Sequence, residues 1–296
     1  MSEPVIKKVL IVGGTHGNES TGVFLINKWR QFPKSLQRAS FQVDTLLANP
    51  KAIAANVRYL DKDLNRCFSQ AVLQDETLIG HEIERAHQLV DQLGGKGACQ
   101  YDLIIDLHTS TANMGVNLVL TKHDAFHHSM MGYMSTQRDD VVVTSEAEMI
   151  PDHHFLCALA ERNVIVEVGP VAQGLLHHET IEKTEQATYQ LLDFVERYNA
   201  QQLPELPESI TVFEYTGKIS FPRNENNEPL GIVHKDIQYR DFSLLNTGDP
   251  IFLMQDGSVI TYRDKPTYIS FVNEVAYYDQ GFAFCTLDKK LIPLCK

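Results

Sequence analysis

Four short segments gather residue types that do chemistry: Gly13-Gly14-Thr15-His16-Gly17-Asn18-Glu19, Asp63-Leu64-Asn65-Arg66, Asp106-Leu107-His108-Thr109 and Glu167-Val168-Gly169-Pro170. His16 and Glu19 stand three residues apart at a strand-to-helix turn, where glycines let the backbone bend tightly. Residues at i and i+3 of a helical turn share a face, so a ring nitrogen and a carboxylate oxygen can reach one cation. His108, closing the run Leu103-Ile104-Ile105-Asp106-Leu107-His108, offers a third ligand. Two histidines, a glutamate and an open fourth position make a recurring catalytic zinc set. Asp106, two residues back, shares the strand face of His108 and can orient it from behind. A His and a Glu at this spacing also begin many helices that hold no metal.

Glu167 interrupts the apolar run Val164-Ile165-Val166 at the end of a strand expected to be buried. A carboxylate there is costly unless it is paired, protonated or employed. A general base for an attacking water fits, and burial would raise its pKa toward neutrality. A structural pair with a nearby arginine is the competing reading. Arg58 and Arg66 flank a polar cluster, and guanidinium groups are shaped to clamp a carboxylate. An ion pair with Asp61 or Asp63 is the competing reading there.

The elements that must position these residues follow from periodicity. Residues 7–12 are a β-branched strand ended by Gly13-Gly14, and a helix is predicted over 19–30. Strands are predicted over 41–48, 101–107, 116–120 and 163–168, and helices over 77–93 and 181–198. No element is predicted between 120 and 163. Strands alternating with helices indicate an α/β domain with a largely parallel sheet. Three of the chemical segments then lie at C-terminal strand ends, where such sheets bind ligands. The two prolines of residues 201–208 read as a linker. Short strands follow at 210–215, 218–221, 250–254, 258–262, 267–272 and 281–287. The expected organisation is a catalytic α/β domain over 1–200 and a smaller β-rich domain over 201–296.

The composition narrows the function classes. Lys+Arg is 26 and Asp+Glu 38, a formal charge of −12, which argues against nucleic-acid binding. No apolar run approaches the roughly 18 residues of a membrane span, and residues 1–8 lack the features of a signal peptide. The five cysteines, Cys67, Cys99, Cys157, Cys285 and Cys295, form no CxxC pair, so a reducing cytoplasm is expected. The adjacent histidines 127–128, 153–154 and 177–178 invite a metal reading, but neighbours in sequence point apart on strand and helix alike.

Taken together these motifs resemble the aspartoacylase family of zinc amidohydrolases, relatives of the succinylglutamate desuccinylases and zinc carboxypeptidases. Residues 13–22 are similar to the family's first zinc motif, and Val57 to Phe68 to its substrate-carboxylate segment. Asp106-Leu107-His108 with Asn113-Met114-Gly115 matches the third-ligand region, and Glu167 to Pro170 with Gln173-Gly174 the catalytic-glutamate loop. Asn273-Glu274-Val275-Ala276-Tyr277-Tyr278 resembles the segment whose first tyrosine contacts substrate. The resemblance covers nearly the whole chain. It implies a zinc-carboxypeptidase-like mixed, largely parallel sheet flanked by helices. It implies one zinc ion per subunit on His16, Glu19 and His108, with Glu167 as general base. Arg58, Asn65, Arg66, Glu167 and Tyr277 would bind the substrate, an N-acyl amino acid, and Arg58 would also help hold the oxyanion. The implied reaction converts N-acetyl-L-aspartate and water to acetate and L-aspartate. A homodimer is the default expectation for a soluble oligomer.

One departure bears on specificity. Vertebrate aspartoacylases carry a Tyr and an Arg, four residues apart, that help hold the side-chain carboxylate. Ungapped alignment back from Glu167 places His153 and Cys157 there, with Arg162 five residues off register. His153, if protonated, or Arg162 is the candidate substitute. Rival readings are an N-acyl aromatic or N-succinyl amino acid, a peptide C-terminus, a non-catalytic binding protein, and a cysteine enzyme built on Cys67.

Overall fold

The computed structural model describes residues 5–150 and 152–294. Residues 1–4 and Cys295, on which the leader and thiol readings partly rest, lie outside the described residues. The chain enters on β1 (Lys8–Gly13), turns into α1 (Ser20–Gln31) and returns on β2 (Gln42–Leu47). Then come α2 (Pro50–Ala55), α3 (Gln70–Leu73), α4 (His81–Leu93), β3 (Leu103–Thr109) and β4 (Gly115–Leu120). α5 (Ala125–Gln137) and β5 (Val141–Ser145) precede β6 (Arg162–Gly169) and α6 (His178–Asn199). The remainder is strand: β7 (Ser209–Ser220), β8 (Gly231–Val233), β9 (Leu244–Leu245), β10 (Pro250–Met254), β11 (Val259–Thr261), β12 (Thr267–Ser270) and β13 (Phe282–Pro293).

One mixed sheet runs in the order β2-β1-β3-β6-β4-β5-β7-β13-β12-β9. β2, β1, β3 and β6 are parallel, and β4 runs against β6. Helices cover this part of the sheet on both faces, which is why β1 and β3 read as near-continuous apolar runs. α1 buries Leu25, Ile26 and Trp29 at helical spacing against one face, beside α5 and α6. The Trp29 indole N–H donates to Tyr189 Oη on α6 at 3.0 Å. α4 covers the other face through Ile83, Ala86, Leu89 and Leu93, where Leu10, Val12, Ile104, Val119 and Ile165 meet it in a second core. It stops at Gly94, whose φ of +88° suits glycine and whose Cβ would fall 2.1 Å from Ala98 O.

The region after residue 208 is strand-rich, as expected, with a separate three-stranded sheet in the order β11-β10-β8. Its first strand is hydrogen-bonded in parallel to β5, through Thr144↔Phe213 and Ser145↔Glu214, so the large sheet continues across the linker. The two strands predicted at 210–215 and 218–221 are one element. A register shift at Thr216 opposite Thr286/Leu287 bends it. α5 and β5 occupy the stretch where no element was predicted. α5 buries Phe126, Met130, Met131, Tyr133 and Met134 around most of its circumference, so it lacks a legible apolar stripe.

Candidate active site

The turn after β1 places the first two chemical residues. Gly17 packs so closely on α2 that a Cβ would fall 2.1 Å from the Ala52 carbonyl carbon, so only glycine fits. His16 and Glu19 project from this turn, and His108 comes in from the end of β3. His16 Nδ1 lies 2.6 Å from Glu19 Oε1, and His108 Nδ1 lies 2.9 Å from Glu19 Oε2. The two Nδ1 atoms face each other at 3.1 Å. All three side chains are buried, and one ligand atom from each lies within 4.8 Å of the others. Among the described residues this is the single group of His, Cys, Asp or Glu that could hold a metal, so the three histidine pairs form no such site.

The outward ring nitrogens are held by carboxylates. His16 Nε2 faces Asp63 Oδ1 at 2.9 Å, and His108 Nε2 lies 3.1 Å from Asp106 Oδ2. Asp106 is in turn fixed by Thr15 Oγ1 at 2.9 Å. Such partners leave each Nδ1 lone pair directed inward. Two inward imidazole nitrogens and a carboxylate suit zinc, so the residues fit the ion the sequence implies. Burial would raise the Glu19 pKa, but the facing His16 and His108 hold it far below the carboxylate range. Burial would lower the His108 pKa, but Asp106 and Glu19 hold it well above the usual value.

A cleft opens beside this group, lined by Arg58, Asn65, Arg66, His108, Glu167 and Tyr277, with Val119, Glu146, Phe155, Ile165, Tyr215 and Phe271 beyond. Every proposed substrate residue therefore reaches one cavity, drawn from three separate stretches of chain. Glu167 pairs in register with His108 across β6 and β3, which puts both side chains on one face. Burial, then the charge of Glu19, pushes Glu167 up to about 8.

The two arginines differ. Arg58 bonds Glu19 Oε1 and Asp63 Oδ2, each at 3.1 Å, so its charge is already matched by buried carboxylates. Arg66 donates to Asn65 O at 2.9 Å and stacks over Phe155, with no carboxylate partner among the described residues. Asn65 is held at both ends: Oδ1 accepts from Leu156 N at 2.9 Å and Nδ2 sits 3.2 Å from His108 Nε2. Tyr277 arrives from the C-terminal region on the loop between β12 and β13. Glu274 ties that loop down, its carboxylate accepting from Ser110 Oγ, from Thr111 N at 2.7 Å and from Ala112 N at 3.2 Å.

The candidate substitutes for the missing Tyr and Arg do not line the cleft. His153 stacks on the ring of Phe155 at 5.4 Å and lines a separate cavity with Lys96 and Lys122. Burial pushes it down to about 4, so it is neutral. Arg162 stacks over Phe126 in the core on the other face, and Cys157 is buried beside Asn163. The one-residue ungapped register cannot anticipate that this segment turns its side chains away. Sequence reasoning also missed the roles of Asp63 behind His16 and Glu146 in the cleft. Asp63 was visible only as half of a possible ion pair.

Residues 5–195 match the family model described as the succinylglutamate desuccinylase/aspartoacylase catalytic domain, and residues 208–289 match the AstE/AspA barrel-sandwich hybrid domain. A protein of Nostoc sp. described as a probable aspartoacylase is 44% identical over 290 residues, 97% of this chain and 98% of that protein. An N-acyl-aromatic-L-amino acid amidohydrolase (carboxylate-forming) of Xenopus laevis is 35% identical over 97% of this chain and 96% of its own. The crystal structure of murine aminoacylase 3 superposes with a TM-score of 0.93 at 33% identity, covering 99% of this chain and 98% of that one.

Proposed function

The chain belongs to the succinylglutamate desuccinylase/aspartoacylase family, and from that premise we propose that it is a zinc-dependent amidohydrolase that cleaves N-acetyl-L-aspartate to acetate and L-aspartate. The observation that carries this reading is the convergence of His16, Glu19 and His108 on one point beside a cleft lined by Glu167 and Arg66. His16, Glu19 and His108 would hold one zinc ion per subunit, which would supply Lewis acidity and activate water near neutral pH. Glu167 takes the proton of the attacking water and returns it to the leaving amine. A pKa near neutrality suits a group that must do both. Arg66, supported by Asn65, holds the α-carboxylate, and Tyr277 closes the cleft from the C-terminal side. Arg58 stands against Glu19 and donates to the developing oxyanion. The free thiols of Cys67, Cys99, Cys157 and Cys285 support a cytoplasmic setting, and no helix among the described residues is long and apolar enough to cross a membrane.

A second reading is favoured by the far wall of the cleft. Val119, Phe155, Ile165 and Phe271 would accept an aromatic side chain as readily as a polar one. The test is hydrolysis of N-acetyl-L-aspartate beside N-acetyl-L-glutamate and N-acetyl-L-phenylalanine, by zinc-loaded wild type and Glu167→Ala. Strong preference for the aspartate compound with a nearly inactive variant is the expected result. Preference for the phenylalanine compound moves the assignment to aromatic substrates, and a fully active Glu167→Ala removes Glu167 from its role.

A further inference from the structure

The cleft holds a carboxylate that the chemistry above does not use. Glu146 follows β5 directly, and it lines the cavity with Arg66, Phe155, Tyr215 and Phe271. β4 lies between β5 and β6, and the registers Asn117↔Glu167, Asn117↔Val142 and Leu120↔Ser145 set Glu146 two strands across the sheet from Glu167 and further along it, past Val119 and Ile165. Both residues line the one cavity, with Arg66 also in its wall. Among the described residues the Glu146 carboxylate accepts no hydrogen bond and makes no ion pair.

An ionised carboxylate in such a wall is costly. Burial raises the Glu146 pKa, and the charge of Arg66 opposes it. The titratable groups facing it from elsewhere are Tyr215 on β7, Cys285 on β13 and Cys157 on the 3-10 turn Leu156–Leu159, none of them a cation. Once Arg66 is taken by the substrate's α-carboxylate, the other cation of the cleft, Arg58, is already matched by Glu19 and Asp63. A second substrate carboxylate arriving there needs a donor. Arg58 is engaged by Glu19 and Asp63, and neither His153 nor Arg162 lines this cavity.

We propose that Glu146 is the specificity-determining residue: as a carboxylic acid it donates a hydrogen bond to the side-chain carboxylate of an N-acyl aspartate whose α-carboxylate rests on Arg66. Binding then takes up one proton from solvent wherever Glu146 was ionised. The inference rests on the N-acyl-aspartate reading above.

The test compares kcat/KM for N-acetyl-L-aspartate with that for its neutral isostere, N-acetyl-L-asparagine. Zinc-loaded wild type, Glu146→Gln and Glu146→Ala are assayed from about pH 5, at the upper edge of the ordinary carboxyl range, to about pH 9. The ratio cancels ionisations common to both substrates, those of Glu167 included. In wild type the ratio falls about tenfold or more as pH rises, because the donor is lost and a charge faces the substrate. Glu146→Gln keeps a donor at all pH, so its ratio is flat. Glu146→Ala lowers the ratio by about tenfold at the acidic end. Unchanged zinc content and thermal midpoint show that the variants fold. A pH-independent wild-type ratio, or an alanine variant with the wild-type ratio, overturns the inference while leaving the aspartate assignment intact. Variants that both raise the ratio also overturn it, since Glu146 would then repel the side chain. Wild type that cleaves N-acetyl-L-phenylalanine and neither member of the pair overturns both readings together.

Discussion

The residues at the centre of the proposed chemistry are each held by buried neighbours. Glu167 is poised by burial and by Glu19, so its amide loses the proton transfers while keeping the shape. Glu167→Gln is expected to lower kcat by about 10²- to 10⁴-fold with zinc content unchanged, measured by steady-state kinetics beside metal analysis. Asp63 orients His16 at 2.9 Å. Asp63→Asn should weaken zinc binding by about 10- to 100-fold in chelator competition, and a wild-type affinity would show that His16 needs no such partner. His16, Glu19, His108 and Glu167 were legible because each is a ligand or base type set at a glycine turn or in an apolar run. The engagement of Arg58 was not legible. It joins Glu19 across 39 positions, and no local pattern encodes a contact of that separation.

Among the elements, the β12–β13 loop carries the clearest consequence. Glu274 is buried and collects donors from Ser110, Thr111 and Ala112, two residues beyond His108. Glu274→Ala leaves the Thr111 N–H and the Ser110 hydroxyl without this acceptor and frees Tyr277. A loss of about 2–4 kcal/mol in urea unfolding, together with a raised KM, is expected. The segment around residues 152–157 supplies a pH effect. Burial holds His153 and His154 at about 4, below the roughly 6.5 of an unfolded chain. Between those values the unfolded state binds more protons, so their contribution is complete above about pH 6.5 and falls as pH drops toward about 4. Glu167 and Asp241, raised to about 8 and about 6, titrate in the opposite sense. The histidine part is therefore read as the difference between wild type and His154→Gln across that range. The variant should lose less stability on acidification, and an identical slope would remove His154 from the account. Helices with a one-sided stripe, such as α1 and α4, were readable in advance. α5 was not, because it is covered on most sides, and β5 is only five residues long.

On the scale of the molecule, the site draws on both ends of the chain through one sheet. β5 and β7 join in parallel, and Ala112, Met114, Phe213, Tyr215 and Phe271 form a core between the two regions. The fold class was readable from alternating strands and helices, whereas the continuity of the sheet was not, since strand pairing is a tertiary fact. Zinc binds the folded ligand set and not the open chain. Chelation should therefore lower the thermal midpoint, and saturating zinc at about 100 times its Kd should restore about 3 kcal/mol, read by calorimetry. An unchanged midpoint would place the ion outside the folded core.

The lone tryptophan gives this scale its own reporter. Trp29 is 1% exposed and bridges α1 to α6 on the sheet face opposite the cleft. Its emission is set by a dry environment with one hydrogen bond, so the spectrum of the native protein lies toward the blue. Substrate or zinc entering the cleft leaves that colour unchanged. A red shift marks the parting of the two helices, which makes fluorescence a record of global unfolding that ligand titrations do not contaminate.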